Sequence, residues 1–241
     1  MSATSRAMLE LRQARPALTR GHDLTGSYEL SLNAGDCAVI SCMNDLLSAA
    51  FVDLLIGLRP LTSGQAFCLG LEWDRLSAKR ADALRGRIGR YTNQGAWVGL
   101  FTMDTNILLQ QMHHTTLPIA QLVQEAENLC HIFDLPGLPT LRPDLMLARD
   151  RRKAGLVRAF LARPPLVILE NPLDEDTGLD ADVVLQQVTE ARLRGTGFLC
   201  LTQNPALWSR YRGRGVKFYQ LYENGLEPIA GGNNARLPEA A

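Results

Sequence analysis

Residues 166–172 carry the clearest chemical signal in the chain. Four apolar residues, 166–169, are followed directly by Glu170, Asn171 and Pro172. A buried parallel strand can deliver an acidic residue in this way to the sheet edge where nucleotide sites form. Glu170 has the carboxylate needed to hold a metal ion there, whereas the amide of Asn171 cannot take a proton from water. The segment therefore indicates a buried strand that ends at the edge of a nucleotide site.

The composition is that of an ordinary globular protein. The chain has 241 residues, 46% hydrophobic and 21% charged, enough for one α/β domain with an inserted subdomain. Its formal net charge is zero, so no basic surface indicates nucleic acid. No apolar run reaches the roughly 18–20 residues of a membrane span, and no signal peptide is expected. We expect a cytoplasmic protein that can dock on a membrane protein.

Neither the cysteines nor the histidines have metal-ligand spacing. The five cysteines include no CxxC pair, and most lie in apolar runs, which predicts buried free thiols in a reducing compartment. The adjacent His113 and His114 are typical of solvated side chains. We therefore expect no metal site.

Strands and helices alternate along the chain. Apolar or alternating runs predict strands at 28–32, 37–41, 65–69, 88–91, 166–169, 197–202 and 216–222. Helical periodicity predicts helices at 46–58, 75–86, 104–134 (with a second segment opening at Pro118), 150–162 and 181–193. Residues 1–23 are expected to be irregular or an edge strand, and 59–64 a loop. Such alternation predicts a mostly parallel sheet.

The same order predicts two parts and a tail. Both ends of the chain, 1–94 and 151–230, are expected to build one α/β core. Residues 95–150 are expected to form a helical subdomain. The segment 231–241 is rich in Gly, Asn, Pro and Ala, which predicts a disordered tail.

The order of several motifs resembles the nucleotide-binding subunit of ABC transporters over nearly the whole chain. Four segments are similar to the stretches beside its phosphate loop, glutamine loop, signature motif and switch histidine, namely 54–64, 88–90, 154–164 and 198–202. Gly95-Ala96 and the later Asn106-Ile107 are similar to the Mla-type phospholipid-trafficking branch. The resemblance implies an α/β fold: a P-loop NTPase-like, mostly parallel sheet core with an antiparallel β edge and an inserted helical subdomain.

The phosphate-loop position of that family falls on residues 42–49, which contain no glycine. Backbone N–H groups of such loops cradle phosphate, and glycine permits the conformations required. Ser48 stands where the family has its phosphate-binding Lys, and Ala49 where it has the hydroxyl that binds Mg²⁺. Asp45 adds a negative charge where phosphates would lie.

Other positions of the resemblance are changed as well. The glutamine-loop position is Asn93, with Gln94 beside it, and the switch-histidine position is Gln203. Leu147, at the signature serine, cannot donate a hydrogen bond. Asp180 resembles the D-loop Asp only if a short insertion precedes it.

These substitutions predict a catalytically degenerate subunit. Glu170 replaces the Asp that holds Mg²⁺ in the family, and Asn171 replaces the Glu that polarises water. Losing one charge-stabilising group costs about 10²–10³ in rate, and here several are lost together. We expect no catalytic residue and no cofactor, with neither ATP nor Mg²⁺ bound.

The resemblance also implies an integral membrane permease as partner. The family's permease contact corresponds here to roughly residues 94–115. The candidate contact residues are apolar enough to fill a groove, although they would equally suit the core of the insert: Trp97, Val98, Leu100, Phe101 and Met103.

The first functional hypothesis is thus a degenerate ABC-type subunit of a membrane transport complex, with lipid as the cargo that the Mla-type pattern implies. It would act structurally or as a regulatory partner, in a homodimer or in a heterodimer with a competent ABC ATPase. It would lie peripherally on the inner face of the cytoplasmic membrane. The alternatives are an active ATPase with divergent motifs and a soluble regulatory scaffold that kept the fold.

Overall fold

The computed structural model describes residues 7–18, 24–92, 95–173, 180–211 and 215–229. The strands are β1 (Leu9–Pro16), β2 (Tyr28–Leu32), β3 (Cys37–Ser41), β4 (Leu61–Cys68), β5 (Leu71–Glu72), β6 (Ile88–Thr92), β7 (Leu166–Glu170), β8 (Gly197–Thr202), β9 (Val216–Tyr222) and β10 (Gly225–Pro228). The helices are α1 (Asp45–Leu55), α2 (Ala78–Arg85), α3 (Met103–His114), α4 (Ile119–Ile132), α5 (Ala148–Phe160) and α6 (Ala181–Leu193).

A six-stranded sheet forms the centre of the fold, in the order β10-β9-β3-β8-β7-β6. The five strands from β9 to β6 are parallel, and only β10 pairs antiparallel with its neighbour. Every residue of β3 and β8 is buried, because helices or the second sheet cover both faces of these central strands. The predicted α/β class with a mostly parallel core sheet is confirmed.

A second, antiparallel sheet has the order β2-β1-β4-β5. The strand β1 pairs on both sides, so the expectation of an irregular segment or an edge strand at 1–23 is wrong for Leu9–Pro16. Its pairing with β2 shifts register between Leu11 and Ala14, and Gln13 has a positive φ of 46°. The shift interrupts the alternation of buried and exposed residues, which hides the strand from pattern analysis.

The partner strand β4 adapts to that irregularity with a glycine. Gly64 has a φ of 80°, and a Cβ built on it would lie 2.0 Å from the carbonyl oxygen of Gln13. No other residue fits this close approach. Because β4 begins at Leu61, the loop expected at 59–64 is wrong from that residue onward.

Two apolar clusters hold the layers together. One fills the space between the two sheets around α1, with Phe51 and Tyr28 at 5.6 Å between ring centroids. The other covers the opposite face of the central sheet and joins α3, α4, α5 and α6. The division into an α/β core and a helical subdomain at 95–150 stays a prediction, and the tail at 231–241 lies outside the described residues.

The described α-helices are short, from 8 to 14 residues. Among the described residues, no helix has both the length and the apolar character that are needed to cross a lipid bilayer.

All five cysteines are free and buried, as the sequence predicts. Burial raises the pKa of Cys68 to about 12 and that of Cys130 to about 11, because a thiolate is poorly solvated there. We therefore expect none of the five thiols to react with Ellman's reagent at neutral pH until the chain is unfolded. Rapid release of the coloured product from the native chain would contradict this.

Candidate functional site

The carboxyl ends of β3, β7 and β8 meet at one edge of the central sheet, and the segments that follow them form the candidate site. The Nε2 amide of Gln203 donates a 2.6 Å hydrogen bond to Oδ1 of Asp45. Asn171 joins both, because its Nδ2 lies 3.5 Å from the same oxygen and its Oδ1 accepts from the backbone N–H of Gln203 at 3.2 Å. Three positions predicted separately from the sequence thus form one polar network.

The amino terminus of α1 is closed by its own cap. Oδ1 of Asn44 accepts from the backbone N–H groups of Leu46 at 3.0 Å and Leu47 at 3.2 Å. These donors belong to the first turn, where a helix offers an anion its free N–H groups. Ser48 is buried in α1 at 7% exposure, so it offers neither an ammonium group nor an exposed hydroxyl. Ala49 follows it and has no hydroxyl at all.

Because Asn44 satisfies two backbone donors, we expect Asn44→Ala to lower the free energy of unfolding by about 1 kcal/mol. Urea denaturation followed by circular dichroism measures the change. Asn44→Ser is the matched control, since its hydroxyl can still accept from the first turn. An alanine variant as stable as the original chain would show that the cap contributes nothing.

Glu170 is already paired within the chain. The guanidinium Nε of Arg90, on the adjacent strand β6, donates to Oε1 of Glu170 at 2.7 Å. The Glu170 side chain is only 15% exposed, so this ion pair occupies the carboxylate that the sequence offered to a metal. Asn171 turns away from the strand with a φ of 51°, and its N–H donates to the carbonyl of Leu201 at 3.0 Å.

The remaining predicted positions do not join this network. Leu147 lies directly before α5 and is 59% exposed. Its apolar side chain makes no capping hydrogen bond to that helix. Asn93, together with Gln94, lies outside the described residues. Asp180 caps α6, accepting from the backbone of Asp182 at 2.9 Å, which gives its carboxylate a structural partner.

The described side chains fit a magnesium–nucleotide poorly. The first turn of α1 is capped by Asn44, a carboxylate from Asp45 stands in front of it, and Glu170 is neutralised by Arg90. Among the described residues, no group of three or more His, Cys, Asp or Glu side chains is placed to hold a metal ion. The roles of these positions in nucleotide handling stay predictions.

The permease-contact candidates divide into exposed and buried residues. Val98, Leu100 and Phe101 are 41%, 87% and 40% exposed, and Trp97 is partly buried. Met103 is fully buried at the start of α3 and packs in the helical core. Met103 is therefore unavailable to a partner, and that part of the expectation is wrong.

Asn106 fixes the loop that carries these exposed residues, a role that sequence analysis missed. Its Oδ1 accepts from the N–H of Val98 at 2.8 Å, and its Nδ2 lies 3.1 Å from the Val98 carbonyl. The same Nδ2 also contacts the carbonyls of Phe101 and Thr102. The only available signal was a polar residue among the apolar positions of α3.

A cleft of about 490 Å³ lies beside that loop, between β6, α3 and α5. Arg158, on α5, lines it and stacks over the ring of Trp97, with 4.1 Å between the guanidinium carbon and the ring centroid. Gly95 allows this stacking, since a Cβ there would lie 2.0 Å from Nε1 of Trp97. The sequence had shown Arg158 only as one position of a motif-like helix.

Sequence comparison finds relatives with weak but extended similarity. A phosphonates import ATP-binding protein PhnC of Nocardia farcinica (strain IFM 10152) is 25% identical over 206 residues, 80% of this chain and 76% of that protein. PhnC 2 of Synechococcus sp. (strain JA-2-3B'a(2-13)) is 25% identical over 147 residues, 58% of this chain. That match spans half the length of the Synechococcus protein. No protein-family model matches the chain.

Solved structures extend the similarity to the whole fold. An ATP-binding subunit of an ABC transporter superposes with a TM-score of 0.76 at 19% identity, covering 91% of this chain and 88% of that one. The dimeric ATP-binding cassette MJ0796, bound to ADP and phosphate, gives 0.77 at 15% identity, covering 93% and 100%. The chain is similar in sequence and in fold to the ATP-binding subunits of ABC transporters. The predicted family is thereby supported, whereas the Mla-type branch stays a prediction because both relatives are named for phosphonate import.

The fold of an ABC ATP-binding subunit places the network of Asp45, Asn171 and Gln203 in context. The network lies at the carboxyl edge of a parallel sheet, which is where open α/β sheets bind their ligands. In this chain the polar side chains at that edge bind one another.

Proposed function

We propose that the chain is a subunit of a membrane transport complex that does not hydrolyse ATP and acts structurally or as a regulator. The single observation that carries the proposal is the closed network at the sheet edge. Gln203 and Asn171 bind Asp45, and Asn44 caps the first turn of α1. A phosphate entering this space would meet the Asp45 carboxylate and no lysine, so charge repulsion opposes its binding.

The relationship to ABC ATP-binding subunits supports the transport part of the proposal. One fold neighbour, cbiO1 of Clostridium perfringens, is described as part of the ABC transporter complex cbiONQ, and MJ0796 is described as a dimer. By analogy, the chain would contact an integral membrane permease through Val98, Leu100 and Phe101. It would also form a dimer, either with a second copy of itself or with an ABC subunit that hydrolyses ATP. It would then lie peripherally on the inner face of the cytoplasmic membrane.

Two observations suggest different cargo. The Gly95-Ala96 and Asn106-Ile107 pattern favours phospholipid, and the names of the two relatives favour phosphonate. Those names also favour a second candidate function, an active import ATPase with divergent motifs. In that case Gln203 would stand at the switch position and Asn171 beside the attacking water.

The test compares deletion of the chain with the variant Gln203→Ala in the source organism. Transport is measured as uptake of a labelled phosphonate and as transfer of a labelled phospholipid. Under the proposal, deletion abolishes one of these activities, while Gln203→Ala leaves it within about twofold because no catalysis depends on that amide. A loss of about 10²-fold in the variant would favour the active ATPase. Both activities surviving deletion would contradict a transport role.

A further inference from the structure

The cleft of about 490 Å³ between β6, α3 and α5 has a basic lining. Its ionisable lining residues are Arg90, His113, His114 and Arg158. None of the described residues that line this cleft is acidic. Because a concave surface lined by one sign of charge concentrates ions of the opposite sign, the cleft favours an anionic ligand.

Arg158 is the arginine of this cleft that has no acidic partner among the described residues. Arg90 is paired with Glu170 at 2.7 Å. The guanidinium of Arg158 instead donates to the backbone carbonyls of Gly95 and Ala96, which are uncharged. The positive charge of Arg158 is therefore not compensated by any described carboxylate.

The surroundings of Arg158 make this uncompensated charge unfavourable. Burial and the neighbouring Arg90 lower the pKa of Arg158 to about 10, so the cation persists at neutral pH but is destabilised. An oxyanion would compensate the charge through charge-assisted hydrogen bonds, and a planar guanidinium matches two oxygens of a phosphate group. The neighbouring Arg90 and the two histidines favour an oxyanion that carries more than one negative charge.

The orientation of Arg158 is fixed before any ligand arrives. Its guanidinium carbon lies 4.1 Å from the centroid of the Trp97 ring, and its donors bind the backbone at Gly95 and Ala96. A side chain that is already ordered loses little conformational freedom when a ligand binds. The stacked arginine is therefore preorganised to receive an oxyanion.

The rest of the cleft offers an apolar wall beside the basic residues. Ala96, Val98 and Leu109 belong to this lining. A volume of about 490 Å³ lies in the range of small-molecule sites, and a bare phosphate ion would fill only a small part of it. Size and lining together suit an oxyanion that carries a small organic group.

The exposed residues of the neighbouring loop do not belong to this lining. Leu100 and Phe101 are exposed and are not among the described residues that line the cleft. A ligand inside the cleft therefore leaves both side chains uncovered.

We propose that this cleft binds a small organic phosphate or phosphonate, whose oxyanion pairs with Arg158 and whose organic part lies against Val98 and Leu109. The same chemical group occurs in soluble compounds and in lipid headgroups, and the experiments below distinguish these two sources. The inference goes beyond the proposed function, because it assigns a ligand to the chain itself and requires no partner protein.

The first experiment titrates the isolated chain with phenylphosphonate in a calorimeter. We expect saturable binding with a dissociation constant below about 1 mM. Inorganic phosphate should bind at least about threefold more weakly, because it lacks a ring to cover the apolar wall. Benzyl alcohol has the ring without the charge and should not bind. If either of these two compounds bound as tightly as phenylphosphonate, the proposal would be overturned.

A pair of variants locates the binding in this cleft. His113→Glu places a carboxylate at an exposed position of the cleft lining, and His131→Glu makes the same change at an exposed position of α4. We expect His113→Glu to weaken binding at least about 10-fold through charge repulsion, and His131→Glu to leave it unchanged. Equal affinities of the two variants would place the ligand elsewhere and overturn the proposal.

A second pair tests Arg158 itself. Arg158→Gln should weaken binding at least about 10-fold. The control is Arg149→Gln on the same helix, where the arginine side chain is 66% exposed and lies outside the described cleft lining. Binding that survives Arg158→Gln unchanged would overturn the pairing. If Arg158→Gln does not fold, because its contacts to Gly95 and Ala96 are lost, the two histidine variants still decide.

A sedimentation experiment distinguishes a soluble ligand from a lipid headgroup. The chain is mixed with vesicles of phosphatidylcholine alone and with vesicles of phosphatidylcholine and phosphatidic acid in equal amounts. Binding of phenylphosphonate without sedimentation indicates a soluble ligand. Sedimentation with phosphatidic acid that is lost in His113→Glu and kept in His131→Glu indicates a headgroup. If neither probe bound in a way that depends on residue 113, the proposal would be overturned.

The outcome of these experiments is separate from that of the proposed function. None of them involves a permease or a transport assay, so failure to bind phosphonate or phosphatidic acid leaves the proposed function intact. The proposed function fails independently if transport survives deletion of the chain.

Discussion

Replacing Asn171 by Glu is expected to leave phosphate release from Mg-ATP at background and to lower the free energy of unfolding by about 1–3 kcal/mol. In a competent site a general base contributes about 10²–10⁴ in rate, so the substitution would restore measurable hydrolysis. Here the new carboxylate would face a capped helix and the Asp45 carboxylate, whose oxygen lies 3.5 Å from the present Asn171 amide. The residue also has a φ of 51°, which asparagine tolerates better than glutamate.

Two measurements check this prediction: release of inorganic phosphate from Mg-ATP and urea denaturation. Asn171→Gly is the control for stability, because glycine accepts the left-handed backbone and adds no charge. The glycine variant separates lost hydrogen bonds from charge repulsion. If Asn171→Glu raised phosphate release about 10²-fold, the missing general base would be the main defect of the site. That result would contradict the claim that the site lacks other catalytic groups as well.

Replacing Arg90 by Ala is expected to lower the free energy of unfolding by about 1–3 kcal/mol. The change removes the 2.7 Å ion pair and leaves Glu170, only 15% exposed, as an uncompensated carboxylate in a sheet edge. The aliphatic part of the Arg90 side chain is lost as well, together with its packing. Urea denaturation with a spectroscopic probe measures the difference.

The matched control for that variant is the double change Arg90→Ala with Glu170→Gln. The neutral amide no longer carries an unpaired charge, so we expect the double variant to recover part of the stability. If Glu170→Gln lowered stability further in the Arg90→Ala background, the carboxylate would have another partner. The ion pair would then not be what stabilises this edge.

The central sheet could be predicted because its strands have strong local signals. The short apolar runs of β3, β7 and β8, each five or six residues long, favour strands covered on both faces, and the structure places all three side by side. By contrast, β1 was missed, because a register shift near Gln13 interrupts its alternation. Such a bulge is defined by the opposing strand and leaves little trace in the local sequence.

The candidate site was predicted residue by residue but not as a network. The resemblance to a family marked Asp45, Asn171 and Gln203 as changed positions, yet their mutual hydrogen bonds depend on where three separate strands end. The pairing of Glu170 with Arg90 likewise needs the neighbouring strand β6. Sequence analysis therefore identified what was lost from the site, and the structure identified what replaced it.

The cleft of about 490 Å³ between β6, α3 and α5 shows the same limit more strongly. Arg158 comes from α5, Arg90 from β6 and His113 from α3, and only the packed fold brings them to one surface. Trp97 was predicted as an apolar contact residue, and the structure adds that its ring stacks against Arg158.

The most direct test of a nucleotide-independent subunit is the equilibrium binding of Mg-ATP to the isolated chain. Isothermal titration calorimetry measures it without assuming any reaction, and a competent ABC subunit serves as the positive control. With Asn44 capping α1 and Asp45 held by Gln203, we predict no saturable binding up to about 1 mM nucleotide. A dissociation constant below about 100 μM would contradict the account.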